Sequence, residues 1–529
     1  MKIEILDCTL RDGGYVNNWQ FGKDLIPKIA EKLSKSQIEM IECGFLSKTK
    51  PTSEGQSIFK TIDDAEIYFK NCSINLALMI NCGEYSAEDI PIYRNGKIST
   101  IRIAFHKNQR EEAQELCVAL RAKGYRIFFQ PMVTMSYSDC ELLSLIDWAN
   151  QYRPEAFYMV DSFGTMRRND VLRMFYLIDN NLNPNVKIGF HSHNNLQLSF
   201  SNAQEIISLN PKRTVIIDSS VFGMGRGAGN LCTELISRYL NENVDNKYDL
   251  LPILEIMDEY IMPIYTQHPW GYSAPYYVAA INNCHPNYAT YLMNLQTLCI
   301  RDINIIMRSI PSEKRKRYDQ QIIHELYLEY QHKSVDDSAV IRNLEKLCKK
   351  KKVLLLAPGH SLSTYRSAIA DYIDKYAPIV ISINHIPQFF RYDRVFISNL
   401  KRFKSIDEAV ALIKDKVIFT SNITEDCLLN VVNYASYLNE NDDIMDNSGL
   451  MLINLLKRVG VTSLVLAGYD GFSYSGTKNY YDEKLISSIQ YERQQQTNVA
   501  IIEYFDKIRK NMSIDFLTPT IYDSRTTLS

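Results

Sequence analysis

Short apolar runs alternate with amphipathic stretches through the first 235 residues, and this alternation restricts the fold more than any other feature. The runs are nearly continuous in hydrophobicity, which is typical of parallel strands buried on both faces. They are KIEILDCTL, IEMIECGF, INLALMI, TIRIAF, RIFFQPMV, AFYMVDS, VKIGFHS and TVIIDSS. The segments between them, such as QREEAQELCVALRAKG, have the length and period of helices. Eight strands with intervening helices predict a closed (β/α)₈ TIM barrel over residues 1–235, with a doubly wound open sheet as the alternative.

The rest of the chain is predicted to contain a helical segment and a second α/β domain. Residues 236–349 have no strand-like runs but contain long helical patterns such as LLPILEIMDEYIMPIY. The basic run KLCKKKKV, interpreted as a solvated helix end or linker, marks a boundary near residue 350. From 350 to 529 strand-like runs alternate with helices again, and five or six strands predict a Rossmann-like open sheet.

Composition restricts the class of function. A formal net charge of −2 gives no broad cationic surface, so we expect no nucleic-acid partner. No apolar stretch approaches the roughly 20 residues of a membrane span, and no apolar leader segment is recognisable. The 11 cysteines are scattered without a CxxC pair, which is typical of reduced thiols. We therefore expect a cytoplasmic protein that acts on small molecules; whether it forms a homodimer is left open.

Two histidines, His191 and His193, end the seventh run in the segment GFHSHNN. Side chains at i and i+2 of a strand share a face, and at the end of a barrel strand they point into the catalytic mouth. Alone, the pair fits a metal site, two core histidines or chance. Asp12 follows the first run, and Asn230 ends a glycine-rich loop after the eighth, so both are predicted to face the histidines. This mixed nitrogen and oxygen set suits Mn²⁺ or Mg²⁺ better than Zn²⁺ or Co²⁺.

Three motifs together resemble those of the HMG-CoA lyase-like, or DRE-TIM, metallolyases, and most closely their 4-hydroxy-2-oxovalerate aldolase branch. The family pattern D-x-T-L-R-D-G corresponds to residues 7–13, H-x-H-N to residues 191–194, and G-x-G-x-G-x-G-N to residues 223–230. The resemblance covers about residues 1–290. It implies a divalent ion held by Asp12, His191 and His193, with Asn230 beside the ion or ligating it, and a 2-oxo acid chelated to that ion.

The resemblance also implies the reaction, which makes or breaks a carbon–carbon bond between a 2-oxo acid, in particular pyruvate, and an aldehyde. Arg11 would stabilise the enolate, because a guanidinium beside a divalent ion supplies preorganised positive charge. The alternative role for Arg11 is a salt bridge to Asp12 or Asp161.

The general base is where the chain departs from the family pattern. The aldolases carry a histidine at the position of Tyr15, and acyl-transferring relatives carry a glutamate at the position of Gly14. Tyr15 would need a lowered pKa or a water relay to act as the base. The other candidates are His106, His285 and Tyr272, although His285 precedes a proline and could instead cap a helix. Two further functions stay open: a Claisen-type acyltransferase that uses acetyl-CoA, and an inactive barrel that serves as a binding or scaffold protein.

The second α/β region begins with LLLAPGHSL, a strand, tight loop and helix start of the kind that suits a phosphate. Its segments partly resemble those of bacterial sialyltransferases that bind CMP-sugars and of other Rossmann-like surface-polysaccharide proteins. The resemblance implies a nucleotide or nucleotide-sugar surrounded by Gly359, Ser361, Asn384, Ser448, Gly449 and Asp470. A docking or dimerisation domain is the alternative. Because both halves share one chain, we further expect the aldehyde to be carried on a nucleotide-linked sugar.

Overall fold

The computed structural model describes residues 2–70, 72–423, 428–473, 479–481 and 491–523. The chain forms two compact units. The first, called the barrel unit, comprises residues 1–290 and 311–318, and the second, called the sheet unit, comprises residues 291–310 and 319–529. The helices predicted for 236–349 are divided between these units, and the predicted boundaries at 235 and 349 stay predictions.

The described residues of the barrel unit form nine parallel strands, eight of which close into a ring. Closure follows from β1, which pairs with β2 on one side and β9 on the other. The two-residue strand β3 extends the pairing of β2 outside the ring. The predicted TIM barrel is confirmed, and each of its eight strands overlaps one of the eight apolar runs. The strands are β1 (Lys2–Asp7), β2 (Met40–Leu46), β3 (Ile58–Phe59), β4 (Asn75–Asn81), β5 (Ile98–Phe105), β6 (Arg126–Pro131), β7 (Ala156–Asp161), β8 (Lys187–Ser192) and β9 (Thr214–Ser219).

Helices alternate with the barrel strands and pack on their outer faces through one continuous apolar core.

None of the helices in the described part of the chain combines the length and apolarity that a membrane span requires. The α-helices are α1 (Gly14–Asn17), α2 (Leu25–Lys35), α3 (Ile62–Glu66), α4 (Arg110–Ala122), α5 (Asp139–Tyr152), α6 (Arg168–Asn181), α7 (Ser199–Ser208), α8 (Thr233–Asn243), α9 (Leu251–Ile256), α10 (Met262–Gln267), α11 (Ala274–Ile281), α12 (Pro286–Asn294), α13 (Ile300–Ser309), α14 (Gln320–Gln331), α15 (Ser338–Cys348), α16 (Ser361–Thr364), α17 (Arg366–Tyr376), α18 (Leu400–Ala411), α19 (Ser448–Arg458) and α20 (Tyr491–Ile508).

Side chains inside the barrel form an apolar layer and, above it, a charged layer. Met40 and Ile216 belong to the apolar layer. Two residues further along the same strands, Glu42 and Asp218 share that inward face. Arg102 of β5 is fully buried between these carboxylates, 3.2 Å from Glu42 Oε2 and 2.5 Å from Asp218 Oδ2. The charged layer therefore positions the groups at the barrel mouth above it.

Asp7 ends β1 and is fully buried. Its carboxylate accepts hydrogen bonds from the Thr9 backbone N–H (2.9 Å) and the Thr233 hydroxyl (2.7 Å). Burial is the dominant effect and raises the pKa of Asp7 to about 6, because these hydrogen bonds only partly offset the desolvation of the charged form.

An Asp7→Asn variant is therefore expected to gain stability relative to the parent protein as the pH rises from 4 to 7. The native state holds the Asp7 proton up to about pH 6, whereas the unfolded state releases it near pH 4. The parent protein thus loses up to ~3 kcal/mol of unfolding free energy across this range, and the variant does not. Tm measured for both proteins at half-unit pH steps checks this; a difference in Tm that is independent of pH contradicts it.

The described residues of the sheet unit form one sheet of seven parallel strands, which confirms the second parallel sheet expected from the sequence. Their spatial order is β14-β13-β12-β11-β10-β15-β16. The chain proceeds outward from β10 in one direction and then returns to place β15 on the other side of β10. In open parallel sheets such a reversal leaves a crevice at the carboxyl ends of the two strands. The strands are β10 (Val353–Leu356), β11 (Ile379–Ile383), β12 (Arg394–Ile397), β13 (Val417–Thr420), β14 (Val431–Val432), β15 (Ser463–Ala467) and β16 (Ser513–Phe516).

Candidate active site

Asp12, His191 and His193 form a buried triad at the carboxyl end of the barrel. One ligand atom from each lies within 4.8 Å of the other two. Asp12 Oδ2 is 3.3 Å from His191 Nε2 and 3.9 Å from His193 Nε2. Neighbouring ligands of one divalent ion, bound at roughly 2.0–2.2 Å, stand roughly 3–4 Å apart. The structure therefore brings together the three side chains that the sequence predicted as metal ligands.

The charged layer orients His191. Its Nδ1 lies 2.9 Å from Asp218 Oδ2, which fixes the ring so that Nε2 faces Asp12. Burial opposes protonation of His191, but hydrogen bonds to Asp12 and Asp218 outweigh it and raise its pKa. For His193, burial dominates and lowers the pKa to about 3, so this imidazole is neutral, as a metal ligand must be.

Two buried oxygen atoms at the triad are Asp12 Oδ1 and Asn230 Oδ1. Neither has a hydrogen-bond partner among the described residues. Leaving such an atom unpaired costs roughly 1–3 kcal/mol, so a ligand is expected to satisfy them. The Asn230 amide donates to the Met224 carbonyl (3.2 Å), which leaves its oxygen as an acceptor. A Cβ at Gly225 would lie 2.4 Å from the Asn230 amide nitrogen, so this packing requires glycine. These donors fit a hard or borderline divalent cation.

Arg11 lies beside the triad and is 4% exposed. Its Nε donates to Glu42 Oε2 and its Nη1 to Asp12 Oδ2, both at 2.6 Å. Its Nη2 is buried without a partner among the described residues. Burial by itself would lower the pKa of Arg11, but Glu42 and Asp12 raise it well above its usual value. One guanidinium N–H therefore stays available to an anionic oxygen at the metal triad.

The alternative role considered for Arg11, a salt bridge, is realised with Asp12 but not with Asp161. Asp161 instead accepts hydrogen bonds from the backbone N–H groups of Thr165 and Met166, at 2.9 and 3.0 Å. The sequence analysis missed the second carboxylate partner, Glu42. A charged residue inside the apolar run IEMIECGF was the available signal, because a buried charge must be paired.

The chain departs from the family pattern at the residues that follow Asp12, one of the predicted metal ligands. A Cβ at Gly14 would lie 2.0 Å from Trp19 Cδ1, so Trp19 fills the space where acyl-transferring relatives carry a glutamate. The Trp19 indole donates to the Arg11 carbonyl (2.7 Å), and its backbone is left-handed, with φ 59°. Such a conformation is strained for a bulky residue and is typical of functional sites. Burial raises the pKa of Tyr15, which opposes its use as a direct base.

Comparison with known proteins agrees with this geometry. The HMGL-like family model matches residues 2–259. Residues 2–259 form an HMGL-like domain. The 4-hydroxy-2-oxovalerate aldolase of Pseudoalteromonas translucida is 27% identical over 270 residues, which cover 50% of this chain and 78% of the relative. The corresponding aldolase of Geobacillus thermodenitrificans is 25% identical over 268 residues, covering 50% and 76%.

A solved structure is also similar to the HMGL-like domain. It is the N-terminal domain of a Bacteroides vulgatus protein assigned to the aldolases, with a TM-score of 0.50 and 28% identity. The similarity covers 55% of this chain and 96% of that domain. The predicted class, a metal-dependent carbon–carbon lyase, is thereby confirmed for the HMGL-like domain.

Two further histidines lie near the mouth of the HMGL-like domain. His106 follows β5, and burial lowers its pKa, with smaller contributions from Arg317 and Arg226. Burial, and next to it Arg226, holds the pKa of His285 well below its usual value. Both imidazoles are therefore mainly neutral at pH 7. His285 Nδ1 also accepts the Asn287 backbone N–H (3.2 Å), so His285 caps α12 as well.

The fourth base candidate, Tyr272, is 60% exposed. The neighbouring Tyr276 instead lies on the inner side of α11, where its hydroxyl is 3.2 Å from the Thr290 hydroxyl. Burial raises the pKa of Tyr276, and Arg226 opposes this shift. Helical spacing to the buried Ala280 was the signal that could have identified Tyr276 as well.

The sheet unit has its own cavity, of about 240 Å³, at the carboxyl ends of β10, β11 and β15. This is the crevice that the reversal of strand order creates. Five of the six residues predicted to surround a nucleotide line the cavity: Gly359, Asn384, Ser448, Gly449 and Asp470. The sixth, Ser361, lies next to the cavity and bonds to Asp470.

Three backbone N–H groups beside this cavity bond to side chains, and the phosphate loop expected from LLLAPGHSL stays a prediction. The Ser361 N–H donates to Asp470 Oδ2 (2.7 Å). At the start of α19, Asn447 Oδ1 accepts from the N–H groups of Gly449 (3.1 Å) and Leu450 (3.2 Å). Recognition of a ligand there would therefore depend on side chains. The carboxylates that line the cavity are Asp443, Asp446 and Asp470, with Arg402 as a cation.

Proposed function

We propose that the barrel unit is an Mn²⁺- or Mg²⁺-dependent aldolase that makes or breaks the bond between a pyruvate-type 2-oxo acid and an aldehyde. The free Nη2 of Arg11, buried beside the Asp12–His191–His193 triad, is the observation that supports it most strongly. The curated relatives are named for the cleavage of 4-hydroxy-2-oxovalerate, which is a reaction of this class.

Each group at the mouth has a role in this proposal. A divalent ion, when bound, would polarise the keto oxygen of the 2-oxo acid. Asp12, His191 and His193 would hold it, with Asn230 Oδ1 as a further donor. Arg11 donates to the developing enolate oxygen in a site from which water is largely excluded, where such a charge is most effective.

For the proton transfer, we propose that a neutral histidine at the mouth serves as the base in place of the family histidine that Tyr15 replaces. His106 and His285 are the candidates, because both are unprotonated at neutral pH. A base must lie within hydrogen-bond reach of the proton it removes, or act through one water. A Claisen-type acyltransferase is disfavoured because Trp19 occupies the space of its glutamate.

The aldolase assignment predicts an absolute requirement for a divalent ion. With Mn²⁺, the full chain is expected to release pyruvate from 4-hydroxy-2-oxo acids, and EDTA is expected to abolish this release. Added Mn²⁺ in excess of the chelator should restore it. Pyruvate is measured with a coupled dehydrogenase, and samples without enzyme give the background. Activity that is unaffected by EDTA would contradict the assignment.

For the sheet unit we propose a nucleotide-linked sugar as the ligand, carried in a pathway of bacterial surface polysaccharide and supplying the aldehyde. The cavity at the β10/β15 reversal supports a nucleotide ligand by its position. Its amide, hydroxyl and carboxylate groups favour ribose and sugar hydroxyls over phosphate. Asn384 Nδ2 and Ser398 Oγ both lie 2.6 Å from Ser448 Oγ, which forms a compact polar cluster in the wall.

This proposal predicts that CMP-, CDP-, UDP- or GDP-sugars raise the Tm of the full chain, whereas inorganic diphosphate does not. A ligand at 100 times its Kd stabilises by ~2.7 kcal/mol, which a thermal-shift screen detects. Ser448→Ala is expected to weaken the response. Ser405→Ala, an exposed serine on α18, is the matched control. If none of the four nucleotide-sugar classes raises Tm, the proposal is wrong.

A further inference from the structure

Arg226 and Lys50 are two cations of the barrel unit that converge on one aromatic ring. Arg226 Cζ lies 5.3 Å and Lys50 Nζ 5.7 Å from the ring centre of Tyr15. Arg226 is in the glycine loop after β9, and its Nη1 is 3.3 Å from His285 Nε2. Its Nε is buried without a hydrogen-bond partner in the described residues. Neither Arg226 nor Lys50 forms a salt bridge with any of the residues that the structure describes.

Aromatic side chains hold Lys50 in place without neutralising it. Its Nζ is 4.0 Å from the ring centre of Trp19 and 4.4 Å from that of Phe45. Such cation–π contacts attract an ammonium group but leave its full charge available to a ligand. The Phe45 ring also lies beside Arg11, whose Cζ is 5.7 Å from the ring centre. Lys50 therefore lies at the edge of the catalytic mouth.

The charge balance of the inner site makes these two cations unusual. The hydrogen-bonded network below the triad contains three carboxylates and two guanidiniums, and hence a net charge of −1: Asp12, Glu42 and Asp218 with Arg11 and Arg102. A divalent ion and the single carboxylate of a 2-oxo acid bring this sum to zero. Arg226 and Lys50, both half-buried, lie outside this balance. Glu84 is a carboxylate that attracts the Lys50 ammonium, whereas no carboxylate of the described residues forms a salt bridge with Arg226, which therefore stays available to an anion.

We propose that Arg226 and Lys50 form a subsite for a second negatively charged group of the substrate, a carboxylate or phosphate carried by the aldehyde. A guanidinium and an ammonium are the groups that proteins use to bind these anions. The inference rests on the proposed function, because the charge balance includes the divalent ion and the 2-oxo acid. It defines the aldehyde as an anionic one.

The catalytic test compares anionic aldehydes with neutral ones of similar size on the Mn²⁺-loaded full chain. Succinic semialdehyde is paired with butanal, and glyceraldehyde 3-phosphate with glyceraldehyde, so that the two pairs distinguish carboxylate from phosphate. We expect kcat/KM for at least one anionic aldehyde to exceed that of its neutral partner by roughly tenfold or more, through a lower KM. Arg226→Gln and Lys50→Met are each expected to reduce this ratio by a similar factor. Arg238→Gln, which changes an exposed arginine on α8, is not expected to reduce it.

A binding measurement separates this inference from the proposed function. Calorimetry with glycerol 3-phosphate and glycerol requires no catalysis, and we expect only the phosphate ester to bind, with a Kd at least roughly tenfold weaker in Arg226→Gln. Exchange of the C3 hydrogens of pyruvate in D₂O tests the aldolase assignment alone. If pyruvate exchanges but neither the aldehyde pairs nor glycerol 3-phosphate shows a dependence on Arg226, the subsite is wrong and the aldolase stands. If the phosphate ester binds through Arg226 but pyruvate does not exchange, the aldolase assignment has failed instead.

Discussion

Replacement of His193 by alanine is expected to abolish tight Mn²⁺ binding and to lower kcat for pyruvate release by on the order of 10³-fold. His193 is one of three buried donors, and its low pKa of about 3 keeps it neutral for metal binding. Without it, the ion would keep only Asp12 and His191 of the triad, with Asn230 Oδ1 as the further donor. Electron paramagnetic resonance of bound Mn²⁺ and single-turnover kinetics measure the two effects separately.

The matched control is His332→Ala, which removes an exposed histidine at the end of α14 in the sheet unit. It is expected to change neither Mn²⁺ stoichiometry nor kcat. A His193→Ala protein that binds Mn²⁺ as tightly as the parent would refute the assignment of this residue as a ligand. A fold check by circular dichroism is needed for both variants, since His193 is buried.

Arg11→Lys is expected to lower kcat by roughly 10²–10³-fold while Mn²⁺ still binds. Lysine keeps the charge but loses the planar fork that serves Glu42, Asp12 and an enolate oxygen at once. The transition state therefore loses its preorganised donor, whereas the metal ligands remain in place. Pyruvate release and Mn²⁺ titration on the same preparation provide both measurements.

Arg213→Lys is a suitable comparison, because Arg213 is also a buried arginine but lies at the start of the barrel strands. It donates to Asp179 and to the backbone carbonyls of Asn183 and Val186. This variant is expected to lower Tm without a matching loss of kcat. Equal losses of kcat in the two variants would mean that Arg11 acts through the stability of the fold, contrary to our proposal.

Much of the barrel could be predicted from the sequence because each strand is buried on both faces. Burial of this kind requires runs such as TIRIAF and TVIIDSS, and the same runs reappear as β5 and β9. The short strand β3 could not be predicted, because a strand of two residues is too short to show a hydrophobic period. In the sheet unit, the five or six strands predicted are close to the seven that the described residues form. The reversal of strand order at β10 depends on pairing between distant segments, and the hydrophobic periodicity of the sequence carries no information on such pairing.

The metal triad could be predicted because its residues belong to short motifs at strand ends. The charged layer that supports the triad could not be predicted, because its partners come from different strands. Arg102 bonds to Asp218, 116 residues away in the sequence. Trp19, which fills the position of a family glutamate, was missed since nothing in its neighbourhood reveals which backbone conformation places it there. Side-chain hydrogen bonds to the loop after β10 were missed for the same reason.

The charged layer inside the barrel also determines how the domain can be assembled. Arg102 belongs to the first half of the barrel, but its carboxylate partners come from β2 and β9, on either side of the seam at β1. A fragment that ends before β9 would expose an apolar interior that contains a guanidinium without its Asp218 partner, and such an unpaired charge is strongly destabilising. The two halves of this barrel are therefore not independent folding units, and ring closure is expected to be a late, cooperative step dominated by long-range contacts.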